Sequence, residues 1–284
     1  MDRPLKETVY TPDSELRHFG RLVRHMGQDL LASRELAWRL FVRNISAQYR
    51  QSLLGYVWAF VPPVFTSLIW IFLNSQNVFS IGDTGMPYVV FVITGTVLWQ
   101  TFVDALNGPL QMVSESKSML AKINFPREAL ILAGIGLVLF NFLIRALLLI
   151  GVMWWYGVPP QDGLVLAPLG VLALIGLGTM IGVLLTPLGV LYHDIGRGLT
   201  VATQALFFLT PVIYPVPKAA FAATLIGLNP VTPLLVSTRD WLTTGKASLL
   251  PGFLWVSGGT LALLFAGWIL YRIAMPHLIS RMSA

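Results

Sequence analysis

Side chains able to carry out chemistry are few in this sequence, and the one close pairing of a base with an acid is His193-Asp194, at the end of an apolar run. General acid–base work wants such groups clustered on one aqueous face, and metal-assisted hydrolysis wants further ligands beside them. A pair at a helix end more often caps the helix than reacts. Asp104, near the end of another apolar run, is the main carboxylate at membrane depth, whereas a proton-coupled carrier uses such groups in chains. Cysteine is absent, which removes thiolate nucleophiles, disulfides and cysteine-bound metals together. A Gly-x-x-x-x-Gly-Lys-Ser/Thr phosphate loop is absent too, so energy for any work must come from a partner or a gradient. No catalytic residue, metal ligand or cofactor is therefore assigned to this chain.

Arg145 stands apart, because it falls in the middle of an apolar run. An unpaired charge there costs at least a few kcal/mol, so it must face protein or water. Two readings stay open: a structural pair, or a bond to carbonyls freed by a neighbouring helix, on one side, and a place on a substrate path on the other.

The elements that must position these residues are membrane helices. The chain has 284 residues, of which 55% are hydrophobic and 11% charged, well under the roughly 25% charged of a soluble domain. Backbone inside lipid must satisfy its own hydrogen bonds, and long unbroken apolar runs decide for helices over a barrel. At about 20 residues per crossing, six spans are expected, over Tyr56 to Val78, Tyr88 to Leu110, Ala129 to Tyr156, Leu164 to Leu191, Leu199 to Tyr214 and Leu249 to Tyr271. The segment Met1 to Gln51 has no continuous apolar stretch of the signal-peptide kind, so insertion is expected to rely on the first span. Fifteen lysines and arginines fall on the side that holds both termini and three on the other, which puts both termini in the cytoplasm. That distribution also accounts for the net charge of +6 without nucleic acid.

Between an N-terminal extension at 1–33 and the first span, residues 34–55 repeat Trp38, Phe41, Val42, Ile45 and Tyr49 at three- and four-residue steps, with Arg39, Arg43 and Arg50 opposite. This pattern predicts an amphipathic helix in the cytoplasmic headgroup layer, either a passive anchor or a moving gate. Between the fifth and sixth spans, 215–247 is apolar but broken by Pro217, Asn229, Pro230 and Pro233. Two short helices dipping back from the periplasmic side, or a plain loop, are the readings there. Residues 272–284 form a cytoplasmic tail, and 56–271 a single membrane domain.

Several short stretches, taken in order, carry a family resemblance. Tyr49-Arg50 is followed by Ser52-Leu53-Leu54-Gly55-Tyr56-Val57-Trp58 and Pro62. Lys122-Ile123-Asn124-Phe125-Pro126 lies between the second and third spans, and Tyr192-His193-Asp194-Ile195 follows the fourth. Thr210-Pro211-Val212-Ile213-Tyr214-Pro215 and Leu228-Asn229-Pro230-Val231-Thr232-Pro233 come next. Together they resemble the permease subunits of type-2 ABC exporters, in particular those that export O-antigen and teichoic acid; His193 stands where that family often has arginine.

The resemblance implies an inner-membrane permease that pairs with itself and with two copies of an ATP-binding subunit, where ATP and magnesium would be bound, and that passes a lipid-linked polysaccharide between its two copies. It makes 114–128 a coupling segment, with Leu120, Ile123 and Phe125 as an apolar knob, Glu115, Lys117 and Lys122 as a charged rim and Pro126 as its stop; an ordinary surface loop is the alternative. Trp38, Arg39, Phe41, Arg43, Tyr49 and Arg50 would form the gate helix, and 215–247 would close the outer mouth. Trp58, Phe60, Phe65, Trp70, Phe207, Phe208 and Tyr214 are candidates to line the conduit, since flat apolar faces stack on sugar rings, although aromatics also collect at membrane interfaces and in helical bundles. Export of a drug or small lipid, a membrane glycosyl or phosphoglycosyl transferase, and a scaffold are the other functions weighed.

Overall fold

A computed structural model describes residues 19–50, 54–78, 81–123, 125–217 and 219–282. Among the described residues the regular structure is helical throughout: α1 (Phe19–Arg50), α2 (Val61–Ser75), α3 (Tyr88–Glu115), α4 (Lys117–Lys122), α5 (Glu128–Trp155), α6 (Ala167–Leu191), α7 (Asp194–Phe208), α8 (Ala220–Leu228), α9 (Val231–Thr243) and α10 (Leu250–Met282). Short 3₁₀ turns at Gly55–Ala59 and Asp162–Val165 precede α2 and α6.

Four helices, α3, α5, α6 and α10, are long and apolar enough to cross a membrane. The apolar stretch of α3 is 78% buried within the chain against 17% for α10, so α3 is the axis of the bundle and α10 lies at its edge. What brings α6 against α3 is a lack of side chain. A Cβ on Gly178 would lie 2.7 Å from the Phe102 carbonyl oxygen, and one on Gly182 would run into the Leu106 carbonyl. Small residues four apart let two backbones meet closely, which in lipid replaces hydrophobic attraction as the means of association. The main apolar cluster grows around this seam from Leu98, Phe102, Leu106, Leu174 and Leu177. A second cluster closes the other end, where Ala37 and Leu40 of α1 meet Met112 and Val113 of α3, Leu130 of α5 and Tyr271 and Met275 of α10.

Several sequence expectations change at this point. The first and fifth expected spans are the 15-residue helices α2 and α7, each about 22 Å long at 1.5 Å per residue and shorter than the roughly 30 Å hydrocarbon layer. Pro62 and Pro63 sit in the first turn of α2, where a missing N–H breaks no helical hydrogen bond. The amphipathic helix is already formed at Phe19, ahead of residue 34, because Met26, Ser33, Ala37, Leu40 and Asn44 continue one buried face across the expected boundary. That face, and not the Trp38–Val42 stripe, packs on the protein. Trp38 is 64% exposed, Val42 is exposed, and Phe41 is half-buried with its ring 6.2 Å from that of Phe140. The side chains of Tyr49 and Arg50, and residues 51–53, lie outside the described part. Between α7 and α10 the chain forms two short helices, α8 and α9.

Candidate functional site

Between α2, α3 and α7 lies a groove of about 240 Å³ whose lining could hold a ligand. Pro62, Pro63 and Thr66 come from α2, Thr96, Trp99, Gln100 and Val103 from α3, and Thr203, Gln204, Phe207 and Phe208 from α7. On α3 the steps from 96 to 99, 100 and 103 put Thr96, Trp99, Gln100 and Val103 on one face. The aromatics brace one another edge to face, with ring centroids 5.7 Å apart for Trp99 and Phe207 and 5.4 Å for Phe207 and Phe208. Trp70 meets Phe208 at 6.3 Å from outside the lining. The hydroxyls of Thr96 and Thr203 donate to Val92 and Leu199 carbonyls one turn back, both at 2.9 Å, and Thr96 also bonds Ser67 of α2 at 2.9 Å. Among the described residues no lining side chain is ionisable. Such a surface can hold a flat, hydroxyl-bearing molecule by stacking and amide hydrogen bonds, and it contains no group able to transfer a proton at neutral pH.

Of the seven aromatics named from sequence, Phe207 and Phe208 line this groove. Phe65 is 64% exposed on α2, Trp58 is exposed in the 3₁₀ turn, and Phe60 is half-buried between turn and helix. Tyr214 is turned away, its hydroxyl donating to the Phe208 carbonyl at 2.6 Å. Sequence reasoning missed Trp99, which the spacing of Thr96, Trp99, Gln100 and Val103 would have flagged had the second span been searched as the first and fifth were.

Beneath the groove lies Arg145, 4% exposed. Its Nη1 donates to Asp104 Oδ2 at 2.6 Å and its Nε to the Ala59 carbonyl at 3.0 Å. Asp104 Oδ1 accepts in turn from Gln100 Nε2 at 2.9 Å. The Ala59 carbonyl needs this donor. The residues three and four positions on, whose N–H groups would serve it in a helix, are Pro62 and Pro63, and neither has one. Both structural partners considered for Arg145 are thus present at once.

At the far end of α7, Thr210-Pro211-Val212-Ile213-Tyr214 is irregular and its first four residues are buried. Irregular backbone among apolar helices must find hydrogen-bond partners, and each carbonyl from Phe208 to Ile213 has one. Tyr214 serves Phe208 O, Asn229 Nδ2 serves Leu209 O at 3.3 Å, and the Val212 N–H serves Thr210 O at 2.7 Å. Arg239 Nη1 serves Pro211 O at 2.9 Å and Val212 O at 3.3 Å, and the Tyr88 hydroxyl serves Ile213 O at 3.0 Å. The Arg239 guanidinium also lies 3.7 Å from the centre of the Phe91 ring. Against this turn comes Gly95 of α3, on which a Cβ would collide with the Val212 carbonyl. Arg239, counted from sequence as a loop charge, is 3% exposed and welds α9 to the end of α7.

The segment 114–128 divides. Leu120 is 6% exposed and belongs to the chain's own second cluster, so it anchors α4 instead of offering itself outward. Ile123 is 58% exposed, Lys122 is exposed, and Phe125 and Pro126 are half-buried beyond the end of α4. Directly after them, Glu128 Oε1 lies 3.5 Å from Arg272 Nη1 of α10 as an ion pair, while Arg272 Nη2 reaches Asp29 of α1 at 2.7 Å. On α1 the exposed Arg39 pairs with Glu35, and Arg43 donates to Asn44 at 3.2 Å. His193 and Asp194 are exposed at the start of α7, where Asp194 lies 3.7 Å from Arg197.

Comparison with known proteins extends over most of this architecture. The O-antigen export system permease protein RfbA of Myxococcus xanthus is 28% identical over 224 residues, covering 76% of this chain and 82% of that protein. The permease of the same name from Klebsiella pneumoniae is 24% identical over 208 residues, 72% of this chain and 78% of that protein. The capsule polysaccharide export inner-membrane protein CtrC of Neisseria meningitidis serogroup A is 28% identical over 145 residues, 46% of this chain and 51% of that protein. The ABC-2 type transporter family matches residues 35–242, a stretch that contains the groove, the Arg145 network and the locked turn, and the chain belongs to that family.

Proposed function

We propose that this chain is the permease subunit of an ATP-driven exporter that carries a lipid-linked polysaccharide, of the O-antigen kind, across the bacterial inner membrane. The observation that carries the reading is the groove, whose flat aromatic faces, amides and hydroxyls suit a sugar ring without gripping it by charge. At about 240 Å³ it is smaller than the roughly 300–1,000 Å³ of pockets that enclose drug-sized ligands. A surface completed by a second copy, and traversed by a polymer unit by unit, fits that size better than a closed site for a drug or small lipid.

Two copies of the chain would meet with their α2 and α7 helices facing. Thr200 and Gln204 are exposed on α7, and polar groups at membrane depth belong against protein or water rather than lipid. With α2 and α7 as short crossings, completed at their ends by the 3₁₀ turn and the locked turn, the chain spans the membrane six times with both termini cytoplasmic. α8 and α9 then dip from the periplasmic side, and α1 lies in the inner headgroup layer. Two ATP-binding subunits, holding ATP and magnesium, would dock on Lys122, Ile123, Phe125 and Pro126, and their closure would move α1 and the foot of α2.

The test replaces Phe208 by a photo-crosslinking phenylalanine in the complex assembled with its ATP-binding subunit, in cells that make the glycan. Adducts of graded length are expected at 208 and none at Trp155, which is 79% exposed at the end of α5. Equal labelling at both positions, or labelling by short lipid alone, would overturn the reading.

A further inference from the structure

We infer that Arg145 is a positioning residue that ties the groove to the foot of α2, so that the cytoplasmic entrance and the cargo surface are set by one hydrogen-bonded relay. The inference rests on the groove being the cargo path. Its members come from separate elements: Gln100 in the groove lining, Asp104 one turn further along α3, Arg145 on α5, and the Ala59 carbonyl in the 3₁₀ turn before α2.

Three observations carry it together. The guanidinium side chain is 5% exposed and its carboxylate partner 21%, so neither is exchanging freely with water. The Ala59 carbonyl has lost its local donors to Pro62 and Pro63, and the donor that replaces them comes from α5. The Gln100 amide that bonds Asp104 at 2.9 Å is also part of the groove wall. A hydroxyl-rich cargo that engages this amide competes for the same bond, which loosens Asp104 from one side and alters how firmly Arg145 holds the turn bearing Tyr56, Val57 and Trp58. All three of those residues are about half exposed, and they lie between α1 and the groove.

The chain has no cysteine, so Val57→Cys is a unique reporter of the entrance. In the complex with its ATP-binding subunit, the rate of labelling by a water-soluble maleimide is measured with and without a polyisoprenyl-linked oligomannose. Cargo is expected to change the rate in the parent. Arg145→Gln should change the cargo-free rate by about tenfold, the factor for loss of one hydrogen bond to a charged group. Pro63→Ala restores a backbone N–H to Ala59 O, and adding it should bring the Arg145→Gln rate back toward the parent. Should Arg145→Gln fail to assemble, Gln100→Leu keeps the ion pair and decides the matter: with the amide bond to Asp104 gone, the cargo-free rate moves to the parent's cargo-bound value and cargo changes it no further.

An unchanged rate in Arg145→Gln, no restoration by Pro63→Ala, or a parent-like cargo-free rate or full cargo response in Gln100→Leu would each overturn the relay. Crosslinking at 208 separates the two ideas. Adducts there with an unresponsive reporter refute the relay alone, and absent adducts refute the groove as cargo path.

Discussion

At the scale of single residues, burial of charge sets the largest effects. Removing one partner of a buried pair leaves the other uncompensated, at roughly 3–5 kcal/mol. Asp104→Ala should therefore lower stability by about that much in detergent unfolding, whereas Asp104→Leu with Arg145→Met should lose less, since no charge is then stranded. Tyr88→Phe is a milder probe. It deletes the hydroxyl that serves Ile213 O and should cost about 0.5–1.5 kcal/mol, read by the same unfolding measurement, while the fold is kept. The sequence announced Arg145 by its place in an apolar run, yet its partners were out of reach of spacing arguments. Asp104 is 41 positions away and Ala59 is 86, and only the close seam of α3 with its neighbours brings them together. Arg239 gave no such warning, because a run broken by Pro230 and Pro233 does not look like a place where a charge is buried.

At the scale of elements, the α3–α6 seam and the proposed coupling segment at 114–128 each pair a sensitive position with a tolerant one two or three residues away. A methyl on Gly178 meets the Phe102 carbonyl at 2.7 Å, while one on Gly176 meets Thr260 Cγ2 at an ordinary 3.7 Å. Gly178→Ala should then destabilise by about 1–3 kcal/mol through overpacking, and Gly176→Ala should be neutral or gain slightly from helix propensity; thermal unfolding of the two purified variants decides it. In the proposed coupling segment, Ile123→Asp should leave the permease folded and abolish co-purification of the ATP-binding subunit, while Leu120→Asp should lower the yield of the permease itself. Loss of folding in both would return the segment to an ordinary loop. Apolar length made the four long helices legible from sequence. It misjudged α2 and α7, because an apolar run continues through a 3₁₀ turn or an irregular turn as readily as through a helix, and only hydrogen bonding tells them apart. The part of α1 before residue 34 was missed for a related reason: its buried face runs through Ser33, a polar residue that a search for apolar periodicity passes over.

At the scale of the whole molecule, the charge distribution separates anchoring from transport. In the proposed topology the cations gather at the cytoplasmic ends of the chain, where anionic headgroups attract them, while Arg145 and Arg239 are engaged by Asp104 and by backbone carbonyls. The groove lining is uncharged, and in the proposed function this has a consequence for cargo. An acidic polymer entering a narrow apolar passage loses hydration for each carboxylate with no cation to replace it, a penalty of several kcal/mol per ion. A neutral hexose chain loses only hydroxyl hydration, which amides and stacking offset. In proteoliposomes holding the permease with its ATP-binding subunit, a lipid-linked neutral oligosaccharide should therefore accelerate ATP hydrolysis and be carried, and a uronic acid polymer of the same length should do neither. Replacing Gln204 by Arg, on the exposed side of α7, supplies the missing cation and should narrow that difference. If the acidic polymer were carried as fast as the neutral one by the parent complex, cargo would have to pass by a route other than this groove. The permease reconstituted alone should hydrolyse no nucleotide in either case, so the comparison is made only where the partner supplies the stroke.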